Sequence, residues 1–236
     1  MEIFWKLVLA YLINEFIAQT DFLGYWKNFN FKKILLHNTI FLALALILNF
    51  SALSQIWITV YGLHLNGWLT MAGIFILFIS QDLWRTYTLK NFKLFDNTLH
   101  FLWDQFIHLT IIFVMTPITG FAVGAIALME KTAMLLSIFV AVACGATVLI
   151  YFIERDIYKA DYPGFDERFL LSAQRIVLCL FFLIPGFYWI ILMLLWIVYG
   201  VYLKHERILD FSRLGIYLGF ALSILAGFIA RYIFLY

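Results

Sequence analysis

Apolar residues run along this chain in long stretches separated by short polar segments, with none of the apolar and polar alternation that marks a barrel strand. Several of the stretches approach or exceed the roughly 20 residues that cross a hydrocarbon core. Lipid cannot satisfy an open backbone, so such stretches are helices. The pattern predicts spans at about 3–19, 34–53, 67–84, 98–119, 131–153, 168–184, 187–203 and 213–235. The implied fold is an all-α, polytopic transmembrane helical bundle of about seven to eight spans. Segment 121–129 is apolar but short, and with Pro117 and Gly120 ahead of it reads as a kinked extension or a re-entrant turn. The stretch 168–203 is too long for one crossing and short for two; a tight hairpin at Pro185-Gly186 fits it, with one long bent helix as the alternative. There is no fixed-period repeat and no Pro- or Ser-rich linker. The chain reads as one membrane domain in two parts: 1–120, a four-span region with a polar His/Asp/Glu cluster, and 121–236, a second region of three to four spans.

Composition sharpens the membrane reading. At 65% apolar and 13% charged residues, the chain carries more apolar surface than one water-soluble core could hide. The first apolar run holds Asn14 and Glu15 where a cleavage site would need small residues, so it is expected to be a retained span. A net charge of +2, with basic residues scattered through loops, gives no footprint for nucleic acid. The basic residues bear on topology instead. If all eight segments cross, the loops 20–33, 85–97, 154–167 and 204–212 share one side and, with their helix ends, gather most of the Lys and Arg, including Lys32, Lys33, Arg85, Lys90, Arg155 and Arg168. The other side claims Lys6, Lys131 and Arg231. The positive-inside rule places the first side in the cytoplasm and both termini outside. Cys144 and Cys179 fall inside spans without metal or disulfide spacing and read as packed thiols. Trp5, Trp26, Trp57, Trp68, Trp84 and Tyr202 fall near span ends, as an interfacial belt would. The mixed charges of 153–167 read as a solvated loop.

Ionisable groups within spans cost about 2.5–3.5 kcal/mol each, so each calls for a partner or a pathway. Here they gather at the cytoplasmic ends of the first four spans. Glu15 and Gln19 lie four apart, Asp21 follows, His37 sits one turn into span two, and Asp82 ends span three; His100, Asp104, Gln105 and His108 open span four. The four-residue steps put Glu15 with Gln19, and His100 with Asp104 and His108, on single helical faces. Carboxylates and histidines from facing helices bind divalent cations in bundles, and a metal so held can activate water. A carboxylate and histidine pair without metal can pass protons. The competing readings are hydrogen-bonding glue between helices and a pocket for a lipid or small ligand. His64, on the outer loop, reads as solvated, and His100 as an interfacial residue at a helix start.

At these residues the chain resembles an uncharacterised family of bacterial membrane proteins, the domain of unknown function 3307 (DUF3307). The likeness is carried by Glu15-Phe16 and Gln19-Thr20-Asp21 at the end of the first span, His37 opening the second, Asp82 and Arg85 ending the third, and Asp104-Gln105 with His108 in the fourth. It covers roughly residues 7–112. A weaker likeness to longer members includes Gln174-Arg175, Lys204, and Gly219 with Ser223. Family members often have a histidine four residues before each of the first two acids; here those positions are Tyr11 and Phe78, and Glu15 stands where Asp is more usual. The resemblance implies a bacterial inner-membrane location, and the arrangement is distantly similar to membrane-embedded metal-dependent hydrolases.

The expected function is binding of a cation, such as a divalent metal ion, or of a polar ligand through Glu15, His37, Asp82, Asp104 and His108, with Gln19, Asp21, Arg85 and Gln105 orienting them. One rival is a non-catalytic subunit or scaffold packed against a second copy or another membrane protein. A second is a metal-dependent hydrolase acting on a membrane-proximal substrate with Asp104 or Glu15 as base. A transport component is disfavoured by the lack of an inverted repeat.

Overall fold

A computed structural model describes residues 1–18, 31–92, 96–117, 128–159, 165–205 and 212–235. Gln19, Asp21 and most of the segment 121–129 lie outside the described residues. The chain divides into two compact units, Met1–Met134 and Leu135–Tyr236.

The first unit opens with α1 (Glu2–Leu12), which runs on through one π-helical turn, Ile13–Ile17. Helices α2 (Phe31–Asn49), α3 (Gly67–Asn91) and α4 (Thr98–Val114) follow, and α5 (Leu128–Val140) begins in the first unit and continues into the second from Leu135. α1 packs against α2 and α4, α2 against α3, and α3 against α4, so the four close into a ring. Each presents an inward stripe at helical spacing: Ile34, Asn38, Phe41, Ala45 and Asn49 on α2, and Phe101, Asp104, His108 and Ile112 on α4. Apolar residues fill the middle of the ring, among them Leu7, Phe41, Met71, Ile74 and Phe78. Polar groups on the same stripes therefore meet one another inside it.

Between α2 and α3, in the segment read as a loop, the structure has a small antiparallel hairpin, β1 (Ile56–Val60) and β2 (Leu63–Asn66). The β-branched run Ile56 to Val60 favours a strand, and Tyr61 and Gly62, both at positive φ (48° and 81°), make the tight turn. His64 is on a strand, with Nδ1 3.1 Å from the Thr59 hydroxyl. Trp57 is buried, and its indole N–H donates to the Ala52 carbonyl at 2.9 Å. Asn66 caps α3 by accepting from the Leu69 amide at 3.0 Å. Gly67 is needed there, because a Cβ would stand 2.7 Å from the Leu53 backbone.

The second unit contains a π-helical turn at Ala141–Gly145, then α6 (Ala146–Tyr158), α7 (Phe165–Phe181), α8 (Tyr188–His205) and α9 (Arg213–Leu235). α9 packs against α6 and α7, and α7 against α8. Of the two readings of 168–203, the structure has the hairpin: helix stops at Phe181, resumes at Tyr188, and Gly186 takes the positive φ (74°) that the turn requires. Arg231 fastens this turn from α9, donating from Nη1 to the carbonyls of Phe182 at 2.7 Å and Ile184 at 2.8 Å and lying over the Trp189 ring. α6 runs to Tyr158, into the stretch read as loop, and ends at Lys159 in the left-handed conformation. Cys179 is fully buried with Val142 and Ala230.

By length and composition, four helical stretches among the described residues can cross a membrane: Phe31–Ala52, Gly67–Asn91, Leu128–Tyr158 and Leu214–Leu235. Thr98–Val114 and Tyr188–Leu203 are apolar but shorter. Seven to eight crossings were expected; four reach full length. Their outward faces carry large apolar side chains such as Ile47, Ile76 and Leu225, all exposed. Each would forgo about 1.5–3 kcal/mol by facing water instead of an apolar medium. Lipid removes that cost.

Candidate functional site

The polar ends of α1 to α4 meet in two adjoining groups. The first forms where α1 widens into its π turn. Asn14 and Glu15, within that turn, are both buried, continuing the run Leu7–Leu12 that α1 buries on several faces. Glu15 Oε2 lies 3.2 Å from Nε2 of His37 on α2, and the Asn14 amide is 3.1 Å from the same nitrogen. Glu15 Oε1 accepts from the Gln105 amide of α4 at 3.4 Å, and Gln105 Oε1 accepts from the Tyr11 hydroxyl at 2.7 Å.

The second group lies between α3 and α4. Asp82, Asp104 and His108 each offer one ligand atom, and the three atoms fall within 4.8 Å of one another. Asp104 and His108 are 3% and 4% exposed. His108 Nδ1–H donates to the Asp104 backbone carbonyl at 2.9 Å. In the neutral ring this leaves the lone pair on Nε2, which faces Asp82 Oδ1 at 3.6 Å. Metal-binding histidines donate their other ring N–H to a carbonyl or carboxylate in this way. Asp82 Oδ2 accepts from the Asn38 amide of α2 at 2.7 Å. Asp104 Oδ2 accepts from Arg85 Nη1 at 2.8 Å, and Arg85 Nη2 reaches Asp96 at 3.0 Å. Asp104 Oδ1 has a longer contact, 3.4 Å, with the Gln81 amide.

Aromatic rings join the groups and wall off His108. Tyr11 stacks on its imidazole (centroids 5.5 Å apart, planes 16° apart), and Phe78 meets it edge to face at 4.5 Å. Tyr11 and Phe78, which stand where the resembled pattern often has histidine, are thus both in direct contact with this histidine.

The structure brings Glu15, His37, Asp82, Asp104 and His108 together, but as a Glu15–His37 pair beside an Asp82–Asp104–His108 triad, not as one five-membered ligand set. Gln105 bridges the groups through Glu15 and Tyr11, and Arg85 binds the triad directly. Gln19 and Asp21 lie outside the described residues. His100 is engaged elsewhere: its backbone N–H and Nδ1 both meet the side chain of Asn97, the N-cap of α4. Asn14, Asn38, Gln81 and Asp96 also belong to the network and were not singled out from the sequence. Asn38 directly follows His37, and no sequence signal marks it apart from that neighbour.

Oxygen and imidazole donors of this kind suit magnesium, manganese, iron or zinc. Comparison with protein-family models, with curated proteins and with solved structures finds no match to this chain.

Proposed function

We propose that this chain is a multi-pass protein of a bacterial cytoplasmic membrane, with seven to eight crossings, which holds a divalent cation through Asp82, Asp104 and His108 near the cytoplasmic face. The observation that carries this reading is the gathering of two carboxylates and an imidazole within 4.8 Å, with His108 tethered through Nδ1 so that Nε2 is directed at Asp82. Arg85 and Gln81 on Asp104, and Asn38 on Asp82, would orient the ligands. The Glu15–His37 pair stands beside the cation as a polar relay through Gln105. The location rests on the apolar helices and the one-sided Lys and Arg distribution. Membership in DUF3307 is part of the proposal, supported by the motif residues that converge on this network.

A second reading has its own observation. Asp104 already meets the Arg85 guanidinium at 2.8 Å and Asp82 the Asn38 amide at 2.7 Å, so the network also satisfies itself in part, as helix-positioning contacts in a membrane scaffold do. Elemental analysis of the purified protein separates the two. The cation reading expects about one divalent ion per chain, lost in Asp104→Ala and in His108→Ala while both variants still fold. Metal-free wild-type protein after purification without chelator, and after dialysis against each candidate ion, leaves the scaffold reading.

A further inference from the structure

Of the side chains described above as holding the triad, Arg85 differs from Asn38 and Gln81 in carrying a charge. It is buried on α3, where its Nη1 donates to Asp104 Oδ2 at 2.8 Å and its Nη2 donates to Asp96 Oδ1 at 3.0 Å. The two carboxylates differ in setting. The Asp104 side chain is 4% exposed, inside the ring, whereas that of Asp96 is 21% exposed and stands just before Asn97, the residue that caps α4. One guanidinium thus bridges a ligand of the proposed cation and a carboxylate nearer the surface.

Positioning alone does not call for that charge, since neutral amides supply it at the same site: Gln81 reaches Asp104 Oδ1 at 3.4 Å and Asn38 donates to Asp82 Oδ2 at 2.7 Å. A guanidinium on a ligand carboxylate has a second effect. It competes with the ion for the carboxylate and repels it, and in a buried site a doubly charged ion feels that repulsion twice as strongly as a single charge would. Asp96 offsets this. When Arg85 is held by Asp96 the two cancel, and Asp82 and Asp104 are left with two negative charges opposite the two positive charges of the ion. Both bonds come from one guanidinium already in place between the carboxylates, so a small rotation shifts its hold from one to the other.

We propose that Arg85 is a movable counter-charge that sets the affinity of the triad for its cation: it holds Asp104 until an ion binds there, then releases Asp104 and stays on Asp96. The inference rests on the reading of Asp82, Asp104 and His108 as a cation site. A lone buried charge is costly, and the arrangement avoids one on either side of the exchange. Arg85 keeps Asp104 paired when no ion is bound, and Asp96 keeps Arg85 paired when one is. The ion is therefore exchangeable, not locked in for the life of the fold.

The test is calorimetric titration of manganese into the full chain in detergent, after bound metal has been stripped with chelator and the chelator dialysed away. Arg85→Met should tighten manganese binding by about tenfold or more, and Asp96→Asn, which leaves the guanidinium nowhere else to go, should weaken it by about tenfold. The double variant should bind like Arg85→Met alone, because Asp96 acts through Arg85. Arg85→Lys keeps the charge and should stay near wild type. If Arg85 served only to orient Asp104, its removal would instead weaken binding by about 10–100-fold. That result, an Arg85→Met affinity equal to wild type, or an Asp96→Asn effect of the same size in both backgrounds would each overturn the inference. If Arg85→Met does not fold, Arg85→Gln takes its place under the same expectations, and an unchanged affinity in Asp96→Asn is decisive against the inference by itself. Wild-type protein that takes up an ion, loses it in Asp104→Ala and shows none of these shifts refutes the role of Arg85 alone; wild-type protein that takes up no ion refutes the cation site and this inference with it.

Discussion

Breaking the Arg85–Asp104 contact tests whether this pair organises the polar interior of the first unit. Both side chains are buried, 6% and 3% exposed, and Nη1 of one donates to Oδ2 of the other at 2.8 Å. Opposite charges centred about 4 Å apart attract by about 4 kcal/mol at an effective dielectric of about 20. Removing one partner of a buried pair costs about 3–5 kcal/mol, because the survivor is stranded in a poor solvent. Asp104→Asn strands a guanidinium that keeps Asp96 at 3.0 Å, whose side chain is one-fifth exposed. The expected loss is therefore at the low end, about 3 kcal/mol. Arg85→Met strands Asp104 and should cost about as much, whereas the double variant strands neither and should lose little beyond either single change. The coupling energy is then about 2–3 kcal/mol. The assay is reversible unfolding in mixed micelles with a denaturing detergent, chelator present throughout so that no bound cation contributes. A coupling at or below the average of about 0.6 kcal/mol for polar contacts between membrane helices would refute the reasoning.

Two further outcomes follow from named contacts. Phe78→His places an imidazole against His108, whose ring the phenyl now meets at 4.5 Å, and should tighten divalent-cation binding roughly tenfold, about 1.4 kcal/mol, in calorimetric titration; a folded variant with unchanged affinity contradicts the assignment of the triad. Arg231→Ala removes the donors that hold the Phe182 and Ile184 carbonyls at the α7–α8 turn and should cost about 2–3 kcal/mol in the same unfolding assay, with Arg231→Lys intermediate; a neutral alanine variant means that the turn is held by other contacts.

The apolar helices of this fold were legible because helices long and apolar enough to cross a membrane leave long unbroken apolar runs in the sequence. The convergence of Glu15, His37, Asp82, Asp104 and His108 was readable from four-residue steps combined with helix parity, since antiparallel neighbours bring alternate helix ends together. Which atoms meet was not readable. The split into a pair and a triad depends on the rotational phase of α2, where His37 and Asn38 are adjacent and apolar residues surround both, so periodicity does not choose between them. The π turn that carries Asn14 and Glu15 is announced by no local residue pattern. The hairpin at 56–66 did leave a signal, a β-branched run closed by Tyr61-Gly62, but one masked by the apolar residues on either side.

The central claim, that Asp82, Asp104 and His108 hold a divalent cation, is tested most directly by an anomalous-scattering map from crystals of the protein equilibrated with manganese. The account predicts one peak on the triad, about 2.0–2.3 Å from His108 Nε2 and from an oxygen of each aspartate, with His108 Nδ1 still bonded to the Asp104 carbonyl. A map without such a peak, showing His108 bonded directly to Asp82, would contradict it.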